Sequence, residues 1–87
     1  MKFPLVWIEW EDSAQPDSAW RFLEDLDQSV GEIVRCVSVG FLIHDGKDVK
    51  ALAPNIGDAS TPDAQASGVI RIPTRCVTRV ERLRAPR

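Results

Sequence analysis

His44 is the only histidine in the chain, and Cys36 and Cys76 are its only cysteines. Nucleophilic catalysis needs a hydroxyl or thiol beside a base that is itself held in orientation. Any Ser–His or Cys–His pair must therefore be built on His44. That residue opens the polar interruption "HDGKD" between the apolar runs "RCVSVGFLI" and "VKALAP", which has the composition of a turn and places the imidazole in solvent. A zinc site takes four ligands. Two thiols without a CxxC spacing and one imidazole supply three, so a metal would need carboxylates or a second chain. Glu11–Asp12 and Glu24–Asp25 pair carboxylates only as sequence neighbours, which seldom face one another across a substrate. Gly31, Gly40, Gly46, Gly57 and Gly68 are scattered singly, so no phosphate-cradling loop is present. The expectation is a protein that is not an enzyme, with no catalytic residues, no metal and no cofactor. Its thiols are expected to be buried and free, since a free cysteine packs as a small hydrophobe.

Two residue types remain that recognise partners. Three tryptophans, Trp7, Trp10 and Trp20, fall in one short chain, and a tryptophan left on the surface marks an interaction site more often than most residues do. Six arginines, Arg71, Arg75, Arg79, Arg82, Arg84 and Arg87, crowd the last part of the chain, where they could neutralise phosphates.

The elements that must position these residues are short. "FPLVWIEWE" reads as a strand, with Pro4 at its start where a missing N–H is tolerated, and Trp7 and Trp10 on opposite faces. "DSAWRFLEDLDQSVG" predicts an amphipathic helix of about ten residues. Asp17 or Ser18 caps it, Ala19, Phe22, Leu23 and Leu26 share a face, and Gly31 ends it. Period-two alternation through Cys36–Ile43 and again through Asp48–Ala53 predicts a hairpin. A three-residue loop, His44-Asp45-Gly46, sets Phe41 opposite Val49, Val39 opposite Ala51 and Val37 opposite Ala53. It leaves Gly46 at the left-handed position of a bulge. Residues 54–68 form a long polar loop, and 69–72 a strand stopped by Pro73. "TRCVTRVERL" fits a strand better than a helix, because valine, threonine and cysteine are mediocre helix formers. The fold class expected is α+β, mostly β. It is a small five-stranded, strongly bent antiparallel sheet or barrel with one short helix after the first strand, bending at Gly40.

Length and charge bound the rest. Eighty-seven residues make a single domain, 1–87, with one thin core and little room for a deep cleft. Apolar residues make up 44% of the chain, too many for disorder. No apolar run reaches the ~20 residues that span a bilayer, and acids interrupt the apolar start before a signal peptide could form. Cytoplasmic residence is therefore expected. The net charge of −2 hides an asymmetry. Residues 1–32 hold eight acids (Glu9, Glu11, Asp12, Asp17, Glu24, Asp25, Asp27, Glu32) against Lys2 and Arg21, whereas residues 33–87 hold nine bases against five acids. Two halves of opposite charge are expected to attract one another in the fold.

The ordered pattern of "VWIEWEDS", Trp20, "CVSVGFL" with Ser38 and Gly40, "ALAP" and "IPTRCVTRVERL" resembles a set of short uncharacterised proteins of phage and prophage genomes. The run from "SVGFL" to the "IP" step is similar to SH3-like and Sm-like small barrels, whose last strands are joined by a tight turn. That resemblance implies a small barrel and a phage-type origin, and no activity. The function expected is a non-catalytic protein-interaction or self-association module, with Trp7, Trp10 and Trp20 as candidate contacts and a protein partner or a second copy as ligand. The alternative is an Sm-like nucleic-acid-binding module acting through Arg71, Arg75, Arg79 and Arg82. A pI near 5.3, and the lack of aromatics among those arginines, weigh against it.

Overall fold

The computed structural model describes residues 2–13, 18–26 and 31–86. Its main body is one five-stranded antiparallel sheet. The strands are β1 (Leu5–Asp12), β2 (Val34–Asp45), β3 (Val49–Ala53), β6 (Ile70–Pro73) and β7 (Val77–Arg82), and they lie in the order β6-β3-β2-β1-β7. A separate two-stranded hairpin, β4 (Asn55–Gly57) with β5 (Gln65–Ser67), grows from the polar segment after β3. β6 and β7 are the two ends of the strand order, so the sheet is open rather than a closed barrel.

The alternation of β1 decides where the core lies. Val6 and Ile8 point inward and are buried, and they meet Leu42, Leu52 and Ile72 from β2, β3 and β6. Trp10, Ile70, Cys76 and Val77 pack against this cluster. Pro4 sits just before β1, as expected, and its carbonyl accepts from the Leu42 N–H at 2.8 Å. Pro73 ends β6, an edge strand of the sheet, which is where a proline is tolerated. Gly40 is buried in the middle of β2, opposite Val6. A Cβ there would lie 2.8 Å from the Ala53 carbonyl oxygen, so glycine lets β3 approach where β2 passes from one neighbour to the next.

The helix expected after the first strand is not formed in the described residues. Between residues 18 and 26 there is a single 3₁₀ turn, Leu23–Asp25, flanked by extended Phe22 and Leu26. Of its two candidate caps, Ser18 is described and exposed, whereas Asp17, like Asp27 farther along, lies outside the described residues. Phe22 and Leu23, which the helix would have buried, stand exposed. A helix of ten residues without such burial is marginal in water.

The hairpin register is also corrected. β2 continues through His44 to Asp45, and the turn is Gly46-Lys47-Asp48, closed by the Gly46 N–H on the Val49 carbonyl at 2.9 Å. Phe41 faces Ala53, Leu42 faces Leu52, and His44 faces Ala51. A bulge at Ile43 absorbs the odd residue, rather than a left-handed Gly46. His44 is accordingly an exposed strand residue, beside Asp45 paired with Lys50.

The segment 74–84 is resolved in favour of a strand. A 3₁₀ turn, Thr74–Cys76, leads directly into β7. Thr74 ties this turn to the β2–β3 turn twice, through its N–H to the Asp48 carbonyl at 3.0 Å and its hydroxyl to the Gly46 carbonyl at 2.8 Å. Thr74→Val keeps the shape and the backbone bond but strips the partly buried Gly46 carbonyl of its hydroxyl partner. A loss of about 1 kcal/mol is expected in urea unfolding.

Candidate interaction surface

β1 carries a second face. Leu5, Trp7, Glu9 and Glu11 alternate with the core residues, and in register beside them stand Phe41, Val39, Val37 and Arg35 of β2. On the other side of β1, Trp7 faces Glu81 and Glu9 faces Arg79 of β7. No element of the described chain covers the middle of this face. Trp7 is 38% exposed, Val39 46% and Val37 54%, and the three are neighbours across one strand pair.

A row of charges borders this apolar row. The Trp7 indole Nε1 donates to Glu9 Oε2 at 2.9 Å. Arg79 reaches Glu9 at 3.8 Å and donates to Glu81 Oε1 from both Nη2, at 2.6 Å, and Nε, at 3.2 Å. The hydrogen bond to Glu81, its Coulomb attraction and that of Glu9 raise the pKa of Arg79 further above its ordinary value. The guanidinium stays charged throughout any working pH. The Glu9–Arg79 contact does join the acidic and basic parts of the chain, but as an exposed pair it adds little stability. An apolar centre with a charged border is the anatomy of a protein-interaction patch.

The three tryptophans separate. Trp10 lies on the core face and donates to Ser38 Oγ at 3.0 Å, so it builds the interior. Trp7 belongs to the open face, as the strand parity predicts. Trp20 is fully exposed, next to exposed Phe22 and Leu23. Val37 and Val39 were not singled out by sequence reasoning. The visible signal was that Val37 and Val39 share one parity of β2, alternating with the smaller Cys36, Ser38 and Gly40.

The arginines do not form a stripe. Arg79 faces Glu9 on the outer side, whereas Arg82 faces Val6 and so lies on the core side. Arg71 is on β6, at the opposite edge, and Arg75 is in the 3₁₀ turn. Arg84 is exposed beyond β7, and Arg87 lies outside the described residues.

Cys36 and Cys76 are free and half-buried rather than fully buried. Among the described residues, no group of three or more His, Cys, Asp or Glu side chains is placed to hold a metal ion. Among the same residues, no helix is long and apolar enough to cross a membrane. Comparison of the chain with protein-family models, with curated proteins and with solved structures finds no match to any of them.

Proposed function

We propose that this protein is a non-catalytic interaction module of phage type, resident in the cytoplasm, that binds a protein partner or a second copy of itself. The exposed row Trp7–Val39–Val37 carries the reading. A fold this small that leaves three large apolar side chains side by side on an open sheet forgoes burial it could have used. Such a patch is characteristic of a binding surface. Trp7 supplies a large, stiff aromatic contact, and the valines supply a flat apolar floor. The finer architectural reading, an SH3-like or Sm-like barrel, belongs to the same proposal. The strand order and the tight turn after the Ile72-Pro73 step support it, although the sheet is open.

The nucleic-acid alternative has less support. Arg79 is already engaged by two carboxylates, and Arg79 and Arg82 lie on opposite faces. A phosphate chain following one face would meet Glu9 and Glu81 there.

Val39→Lys tests the proposal. The site is 46% exposed, so stability should change by no more than about 0.5 kcal/mol. Association with the partner or with itself, read by sedimentation velocity and by pull-down, should weaken by at least about tenfold, because a charge would be buried in an apolar contact. A strictly monomeric wild type with no captured partner would refute the proposal, as would undiminished association in the variant.

A further inference from the structure

A second site lies away from that face. A groove of about 620 Å³ separates the β4–β5 hairpin from the start of the chain and the end of β2. That volume falls within the range of small-molecule sites, roughly 300–1,000 Å³. Three local features converge on it. The bulge at Ile43 takes that side chain out of the β2–β3 ladder and aims it into the groove. Phe3 and Ile56, both half-buried, supply further apolar wall. The connection between β4 and β5 holds two non-glycine residues in left-handed backbone, Asp58 at φ 49° and Ser60 at φ 66°, and Ser60 lines the groove.

The polar groups of the lining are few and of one character. Among the described residues of the lining Lys2 is the only ionisable one, and its ammonium stands 5.4 Å from the centre of the Phe3 ring. Gln65 and the Ser60 hydroxyl are the hydrogen-bonding side chains beside it, whereas the Thr61 hydroxyl is occupied by its bond to the Asp58 carbonyl. Asp58 and Asp63 belong to the same connection, but neither lines the groove. An apolar trough whose described lining includes the Lys2 cation and no carboxylate favours an apolar tail bearing a negative charge.

We infer that this groove binds a small amphipathic monocarboxylate. Its hydrocarbon part lies against Phe3, Ile43 and Ile56, and its carboxylate pairs with Lys2. Octanoate is the probe, with octyltrimethylammonium as its match of opposite charge, each titrated into the full chain below its micellar concentration. In a two-dimensional amide spectrum, octanoate should give saturable shifts clustered at residues 2–3, 43, 56 and 60–66. Lys2→Glu should weaken it about tenfold, the worth of one charge-assisted contact, and octyltrimethylammonium should then bind the variant better than octanoate does. Ala66→Trp, at an exposed position on the lining, should abolish binding while the rest of the spectrum keeps its dispersion. The inference is overturned by any of three results. These are linear, non-saturating shifts; equal binding of both amphiphiles to the wild type; or saturable shifts centred on Trp7 and Val39 instead.

Discussion

Ile8→Ala is expected to remove about 2–5 kcal/mol of stability, the ordinary cost of emptying a fully buried aliphatic site. The whole domain has roughly 4–13 kcal/mol at its disposal, taking about 0.05–0.15 kcal/mol per residue. The variant should therefore lose a large share of its stability and unfold at a clearly lower urea concentration than the parent. The reason is geometric: Ile8 is 0% exposed, in a core whose other members are Val6, Leu42, Leu52 and Ile72. Its register neighbour on β7, Val80, is 42% exposed. Val80→Ala should cost under about 1 kcal/mol, since half-exposed methyl groups bury little area. Urea unfolding of both variants measures the contrast. Equal losses at the two positions would mean that the core extends over β7 as fully as over β1.

The second large effect is expected at Gly40. A side chain there meets backbone first and then the buried Leu52 side chain. The Ala53 carbonyl oxygen would be 2.8 Å from the new Cβ, and Leu52 Cγ 3.1 Å. Leu52 and Ala53 are both buried, so β3 can give way only by pulling its ladder off β2. Gly40→Val should destabilise by at least about 1–3 kcal/mol, or lower the midpoint of thermal unfolding by roughly 5–20 °C. Gly57→Ala is the matched control. Nothing lies within 4 Å of its would-be Cβ, and its thermal midpoint should stay within about 3 °C of the parent. A tolerated valine at position 40 would contradict the close approach of β2 and β3.

Much of the sheet was legible in the residues. The parity of Val6 and Ile8 against Trp7 fixed the two faces of β1, Pro4 marked its start, and Thr78 and Val80 favoured strand over helix in the last element. Gly40 stood out as a glycine inside a strand. The hairpin register was not legible, because the bulge at Ile43 carries no signature. Isoleucine suits a regular strand and a bulge equally, while His44-Asp45-Gly46 looks like a turn by composition alone. The helix failed for a different reason. Its periodic apolar face is real in the sequence, but periodicity states only that a face exists, not that anything meets it. With Phe22 and Leu23 exposed, the pattern is left without a partner. The candidate surface was half legible. Trp7 was identified, but Val37 and Val39 read only as members of an alternating hairpin strand, set opposite Ala53 and Ala51.

The 3₁₀ turn and the arginine placement show how a single topological fact settles several questions at once. Once Val77–Arg82 is a strand beside β1, Arg79 must lie against Glu9, and Arg82 must fall on the other face. The acidic and basic parts of the chain meet at Glu9 and Arg79, and the arginines of the last strand do not make a continuous basic surface.

The most direct test of the proposed role is a photo-crosslinking amino acid placed at position 37, with the same group at exposed Arg84 as the comparison, in the full chain expressed in cells that carry its gene. Position 37 lies in the apolar row, and position 84 lies beyond the last strand. The account predicts a discrete adduct from position 37, either to one protein or to a second copy of the chain, and none of the same mass from position 84. The same adduct at both positions, or none at position 37, would contradict it.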